Sequence, residues 1–242
     1  MTEQHPDANP DILLSVVIPA LNEGESLAEL HREVIDACER CREADPAHRG
    51  YEVIIVDDGS TDDTPDACAS LSPLRYIRHE HNLGQTAALD RGIHESRGTY
   101  IATLDGDGQN DPADIPTMLS LLVESDLDCV CGWRVNRKDA LAKRIASRGA
   151  YVLRQLLVRD RIHDSGCTLK VFRRACFDGI HLQGGQHRFI PAILKAHGYS
   201  VGEVPVNHRM RTHGVSKYDA SRFAEGLRDL IAIRRATRGR RP

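Results

Sequence analysis

The feature that most restricts how this chain can fold is a repeated alternation of short apolar runs with longer amphipathic stretches. "ILLSVVIPAL" reads as a strand and is followed by a helical pattern from about Ser26 to Arg42. "YEVIIVDDGS" is a second strand, with a helix after Thr61. "LRYIRHE", "TYIATLD" and "LDCVCGWR" continue as strands, and helices are predicted near Gln85 to Ser96, Pro112 to Glu124 and Leu141 to Val158. Such alternation predicts an α/β fold, a mostly parallel sheet covered by helices on both faces. After about residue 160 it fades: "CTLKVFRR" is a short strand, "RFIPAILKAHG" a helix ended by Gly198, and "YSVGEVPVNH" another strand. With no internal repeat or low-complexity linker, one folded domain over residues 12–218 is expected. Residues 1–11 are expected to form a loose leader and 219–242 an amphipathic basic helix or tail.

Ligands of such sheets bind beyond the carboxyl ends of the strands. Polar clusters fall at those ends here: Asn22 and Glu23 after the first strand, Asp57 and Asp58 after the second, Asp105 and Asp107 after the fourth. The stretch "DGDGQNDPAD" sets four aspartates within ten positions, a charge density that calls for solvent, hydrogen-bond donors or a cation. Asp105, Asp107 and Gln109 alternate, and the intervening glycines allow close approach of a ligand. Oxygen donors of this kind suit Mg²⁺ or Mn²⁺. A calcium loop of EF-hand type would need glycine sixth and glutamate twelfth, where this chain has Asn110 and Pro116. A solvated Asp/Gly turn is the competing reading.

Composition narrows the class. The 242 residues carry 40% hydrophobic content and a net charge of -3, which argues against a nucleic-acid-binding surface. Seven cysteines without a regular framework fit a reducing compartment. The pairs Cys38/Cys41 and Cys129/Cys131 lack further well-spaced ligands and are read as core packing. Nothing approaches the roughly 18 apolar residues of a membrane span, and the first residues lack a signal-peptide pattern.

"VVIPALNE", "IIVDDGSTDDT", "NLGQTAALDRGIHESRGTYIATLDGDGQNDP" and "HRMRTHGVSKY" resemble, in order and spacing, the signature series of family 2 glycosyltransferases with the GT-A Rossmann-like fold. Within that family they are most similar to the dolichol-phosphate mannose synthase group, the polyprenyl-phosphate glycosyltransferases. The resemblance runs from about Leu14 to Tyr218. It implies a GDP- or UDP-hexose donor, with mannose favoured, a divalent cation, and inversion at the anomeric carbon. Pro19, Ala20, Glu23 and Asp57 would then hold the nucleotide. Asp105 would contact the ribose-diphosphate side and the metal, with Asp107 and Gln109 completing the ligands.

A polyprenyl monophosphate acceptor is already largely ionised near neutral pH, its second pKa being about 6, and needs no general base. Catalysis reduces to positioning and charge stabilisation, which points to arginines. Arg134 in "CGWR" matches the acceptor element of the relatives, and Arg148, or Arg144, on the following helix would complete a phosphate clamp. Arg211, Ser216 and Lys217 resemble a lid over the donor diphosphate. "HDSGCTLKVFRR" departs from the relatives where Cys167 and Thr168 intervene before Lys170. Asp164 there binds sugar hydroxyls or serves as a cap or turn residue. His187 and Arg188 line the pocket or cap a helix, and Cys167 is read as packing.

Many relatives carry C-terminal transmembrane helices, and this sequence shows none. The expected location is cytoplasmic, peripheral at the inner face of the membrane. The arginines of the last helix would attract anionic headgroups, each worth on the order of 1 kcal/mol. Its stripe of Phe223, Leu227, Leu230 and Ile231 either inserts shallowly or packs on protein, including a second subunit of a homo-oligomer. Two rival readings stand beside this one: the same fold with a soluble glycan or protein acceptor, and a catalytically silent sugar-nucleotide-binding subunit.

Overall fold

The computed structural model describes residues 9–47, 49–135 and 162–210. Among the described residues seven strands form one sheet: β1 (Ile12–Ala20), β2 (Gly50–Asp57), β3 (Arg75–Arg78), β4 (Tyr100–Thr103), β5 (Cys129–Trp133), β6 (Lys170–Arg173) and β7 (Val201–Pro205), in the spatial order β3-β2-β1-β4-β6-β5-β7. The pairs β1/β2, β1/β4, β2/β3 and β5/β7 are parallel, and β6 runs antiparallel between β4 and β5. The mostly parallel sheet read from the sequence is therefore present, with one reversed strand. That reversal sets the entry of β6, with Lys170 opposite Thr103, beside the exit of β4.

Helices α1 (Gly24–Ala44), α2 (Thr64–Ala69), α3 (Gln85–Glu95), α4 (Ile115–Glu124) and α5 (Ile190–Ala196) cover the sheet. Two separate cores show how. Val16, Ile18, Val53 and Ile55 pack with Leu27, Leu30 and Val34 of α1 and Met118 and Leu122 of α4. Their strand neighbours Val17, Ile54 and Val56 pack with Ala88, Leu89 and Ile93 of α3 and Ile190, Ile193 and Leu194 of α5. Successive strand residues point to opposite faces, so a run without polar interruption feeds both layers. The cysteines of both suspect pairs are buried in these cores, with Cys129 and Cys131 sulfurs 3.8 Å apart.

The helix expected over Pro112 to Glu124 starts instead with a tight 3-10 turn, Pro112–Asp114, before α4. Asp111 caps that turn by accepting from the Ala113 N–H at 3.0 Å. α5 is followed by Gly198 at φ +90°, the left-handed position that glycine takes without strain. The expected helix over 141–158 and the basic helix over 219–242 lie outside the described residues. Among the described residues no helix is long and apolar enough to cross a membrane.

Candidate active site

The parallel register brings the ends of β1, β2 and β4 to one edge of the sheet. Ala20 pairs with Asp57, and the Asp58 N–H donates to the Ala20 carbonyl at 2.8 Å. Beyond that edge the loops after β1 and β2 are laced together. The Asn22 N–H donates to Ser60 Oγ at 2.9 Å, the Thr61 N–H to Asn22 Oδ1 at 2.8 Å, and the Glu23 N–H to Thr64 Oγ1 at 3.0 Å. Asn22 sits at φ +56°, a left-handed conformation that its side-chain bond to Thr61 supports. Gly59, at φ +77°, has no room for a side chain, since a Cβ would fall 2.7 Å from the His81 carbonyl carbon.

The two aspartates after β2 divide their work. Asp57 is fully buried and accepts from the Ser60 N–H at 2.8 Å and the Tyr76 hydroxyl at 2.5 Å, with Arg78 Nε 3.4 Å away. Burial and the Asp57 carboxylate hold the Tyr76 phenol well above its ordinary range. Asp58 accepts from the Leu83 and Gly84 N–H groups at 2.9 and 2.8 Å and faces His79 Nδ1 at 2.9 Å. It thereby fixes the turn that delivers α3. Pro19 and Ala20 are buried at the end of β1, and Glu23 is the residue from which α1 departs.

Gln85, the first residue of α3, donates from Nε2 to Asp105 Oδ1 at 2.6 Å. The Thr168 hydroxyl lies 2.8 Å from both Asp105 Oδ2 and Asn110 Oδ1, and the Asn110 oxygen also accepts from the Asp105 N–H at 3.2 Å. Burial first, and the charge of Asp107 second, push the Asp105 carboxyl up to about 6; Thr168, Lys170 and Arg134 oppose that rise. Asp107 is 7% exposed and accepts from the Gln109 N–H at 3.0 Å. The Gln109 amide NH₂ faces the Arg209 carbonyl at 3.5 Å, so its amide oxygen is the end turned away from that contact.

This set fits a hard divalent cation. All its donors are oxygens, and the mutual repulsion of Asp105 and Asp107 is the kind that a dication relieves. The loop is braced from outside by Arg209, which donates to Glu33 on α1 and to Asp111, both at 2.7 Å. The segment that continues into the predicted lid is thus tied to the aspartate loop.

A second charged group follows β5. Arg134 grips Asp164 with Nε to Oδ2 at 2.7 Å and Nη2 to Oδ1 at 2.9 Å, and its own N–H adds a third contact at 3.3 Å. Burial works against the guanidinium charge, and the Asp164 bonds more than offset it, holding its pKa above the ordinary arginine value. Glu203 on β7 accepts from the N–H groups of His163 and Asp164 at 2.9 and 3.1 Å, and the His163 ring stacks on Trp133 with centroids 4.5 Å apart. The expected sugar contact of Asp164 thus meets a carboxylate with both oxygens on Arg134. Cys167 is buried, with its thiol pushed up to about 11 by burial, which suits packing and not nucleophilic attack. His187 is buried against Thr86 Oγ1 at 2.6 Å and ties the turn before α5 to α3. Arg144, Arg148, Arg211, Ser216 and Lys217 lie outside the described residues.

Sequence reasoning passed over Gln85 and Thr168, whose side chains bond the Asp105 carboxylate oxygens. Their signal was positional: Gln85 opens the helix after "NLG", and Thr168 occupies the point where the chain departs from its relatives.

A mostly parallel sheet with helices on both faces and a carboxylate cluster at its strand ends defines the class, an α/β fold of GT-A type. The glycosyl transferase family 2 model matches residues 15–180, and the chain belongs to that family. It is 42% identical over 228 residues to dodecaprenyl-phosphate galacturonate synthase of Rhizobium johnstonii, covering 91% of this chain and 66% of the relative. It is 35% identical over 233 residues to undecaprenyl-phosphate 4-deoxy-4-formamido-L-arabinose transferase of Pseudomonas savastanoi pv. phaseolicola, covering 94% and 67%. The chain therefore spans about two thirds of the length of these relatives. Among solved structures it resembles glucosyl-3-phosphoglycerate synthase of Mycobacterium tuberculosis in complex with Mn²⁺, UDP and glucosyl-3-phosphoglycerate. That match has a TM-score of 0.69 at 18% identity and covers 96% of this chain and 81% of the other. A Mg²⁺ and UDP complex of the same synthase matches with a TM-score of 0.66.

Proposed function

We propose that this chain transfers a sugar from a nucleoside-diphosphate donor to a polyprenyl phosphate at the membrane surface, with inversion at the anomeric carbon. The observation that carries the reading is the pairing of two charge sites: a repelling carboxylate pair at the end of β4 and a clamped guanidinium after β5. The first suits a cation and a diphosphate, the second a phosphate nucleophile.

Asp105, Asp107 and Gln109 would hold Mg²⁺ or Mn²⁺, which supplies charge neutralisation to the departing diphosphate. Asp57, with Pro19, Ala20 and Glu23, serves the nucleoside end. Asp57 is pre-oriented by Ser60 and Tyr76, so its carboxylate needs no reorganisation when a donor binds. Arg134 receives the acceptor phosphate, whose oxygen attacks the anomeric carbon as the bond from that carbon to the diphosphate oxygen breaks. Asp164 acts here through Arg134, fixing the plane of the guanidinium. On the family resemblance, Arg148 would complete the clamp, and Arg211, Ser216 and Lys217 would close over the donor. None of these carboxylates needs a proton-abstracting role, because the acceptor arrives ionised.

The relatives named above are described as transferring galacturonate and 4-deoxy-4-formamido-L-arabinose, and the structural neighbour was crystallised with UDP. These names move the expected sugar from mannose towards an acidic or amino-modified one, and favour UDP over GDP as first donor. The test is transfer of labelled sugar from a panel of UDP- and GDP-sugars into organic-extractable polyprenyl phosphate, with Asp107→Ala as the blank. Label in the lipid phase from one donor, absent in the blank, supports the reading. Metal-dependent nucleotide binding without label in lipid from any donor would instead favour a soluble acceptor or a silent binder.

A further inference from the structure

On the flank of α3, away from the aspartate loop, Asp90 and His94 stand one helical turn apart, the i,i+4 spacing that places two side chains on one face. His181 comes to the same place from the connection that follows β6. One oxygen or nitrogen of each residue lies within 4.8 Å of the others. We infer that Asp90, His94 and His181 form a second metal site, for a divalent transition ion such as Zn²⁺, separate from the oxygen set of the aspartate loop.

The local bonds prepare the ligands. His94 Nδ1 lies 2.8 Å from the Asp90 carbonyl oxygen and donates to it, which fixes the tautomer with the lone pair on Nε2. Asp90 Oδ1 accepts from the Leu182 N–H at 2.7 Å, which orients the carboxylate and presents Oδ2 towards His181 Nδ1 at 3.2 Å. Two imidazoles and one carboxylate make a set of nitrogen and oxygen donors suited to Zn²⁺ and its neighbours; Mg²⁺ prefers oxygens alone. A water would take the fourth position of a tetrahedral zinc.

The arrangement is open and not closed. The two rings stack nearly parallel, 8° apart with centroids at 4.1 Å, so their lone pairs do not converge on one point. Tetrahedral ligands around zinc stand about 3.4 Å apart. One ring must turn, and His181 is the one able to do so: its side chain is 51% exposed, against 15% for His94. It also stands between Gly179 and Gly184, both in left-handed conformations, in the irregular stretch 178–185 between the 3-10 turns Arg174–Phe177 and Gln186–Phe189. A bound ion would staple this connection to α3, whose first residue holds Asp105.

The test titrates the full chain with Co²⁺ in a large excess of Mg²⁺, which occupies the oxygen set, and reads visible absorption of tetrahedral cobalt. One equivalent is expected to bind in the wild type and in Asp107→Ala. Binding should fall about tenfold or more in His181→Gln, whose half-exposed position leaves the fold intact, and in His94→Gln. Thermal melting supplies the second readout: Zn²⁺ should raise the midpoint of the wild type and leave that of His181→Gln unmoved. No tetrahedral cobalt signal under Mg²⁺, or a signal undiminished in His181→Gln, overturns the inference. Loss of the signal in Asp107→Ala alone does so too, because it would place the cobalt in the aspartate loop.

Discussion

Arg134 and Asp164 form a two-pronged ion pair, closed at 2.7 and 2.9 Å, with side chains only 12% and 15% exposed. A pair so enclosed costs more to break than it contributes when made, because the survivor keeps its charge without its partner. Asp164 is itself held through its N–H by Glu203. The guanidinium that faces the proposed acceptor is therefore placed from β7 through two carboxylates. Asp164→Ala should destabilise the fold by about 3 kcal/mol in urea denaturation. Asp164→Asn keeps the shape and one acceptor oxygen, and should raise KM for polyprenyl phosphate about tenfold while donor KM stays near the wild-type value. Equal rises in both constants would show that Asp164 serves the donor sugar.

Asp105 gives a pH signature. Its carboxyl is raised from 3.8 to about 6, so the folded state holds that proton more tightly than the unfolded chain does. The resulting stability is fully present below pH 3.8 and is lost as pH rises through about 6. A gap of about 2 between the folded and unfolded pKa corresponds to about 3 kcal/mol. Without divalent ions, the wild type should lose stability relative to Asp105→Asn between about pH 4 and 7. Mg²⁺ or Mn²⁺ should restore it at about pH 7 and have little effect at about pH 4.5, since the ion needs the ionised carboxylate. Urea midpoints of the two proteins at both pH values, with and without metal, decide the matter; parallel curves would remove Asp105 from the ligand set.

The element pattern was legible because β1, β2 and the helix between them obey one rule, apolar residues wherever a layer covers them. Val16 and Val17 read alike in sequence and go to opposite cores, which marks a strand covered on both sides. The polar clusters were legible as well, because the register that puts Ala20 beside Asp57 follows from parallel pairing. Long-range partnership was not. Asp164 reads as a sugar ligand or a turn residue in isolation, and only the juxtaposition of β5 and β7 reveals Arg134 and Glu203 beside it. Thr168 was similarly hidden: it reaches Asp105 because β6 reverses direction against β4, and local sequence carries no sign of that reversal.

Thr168 offers a smaller and cleaner perturbation of the metal loop. Its hydroxyl bond to Asp105 favours the ionised carboxylate, opposing burial and Asp107. Thr168→Val removes the hydroxyl at nearly constant volume and strands an Asp105 oxygen, an effect of about 1.5–3 kcal/mol for a bond to a charged group. The pH midpoint for Mn²⁺ binding should therefore move upward by about 1–2, to be read by calorimetric titration across pH. A midpoint that stays in place would mean that the hydroxyl serves Asn110 instead.

Gly92 tests whether α3 must sit at its present depth. A helix interior ordinarily gains about 1 kcal/mol when glycine becomes alanine. Here the added Cβ would stand 2.3 Å from Val17 Cγ1 and 3.1 Å from Val56 Cγ2, both buried in the centre of the sheet. Overpacking of that kind costs about 1–3 kcal/mol, and because neither valine can swing into solvent the clash should win. Gly92→Ala is expected to lower stability by about 1 kcal/mol and to push α3 outward, which loosens the 2.6 Å contact between Gln85 and Asp105. Metal affinity should fall in step with stability, although Gly92 lies about two helical turns from Gln85. A variant that is destabilised yet binds Mn²⁺ as the wild type does would show that Gln85 adjusts independently of the helix that carries it.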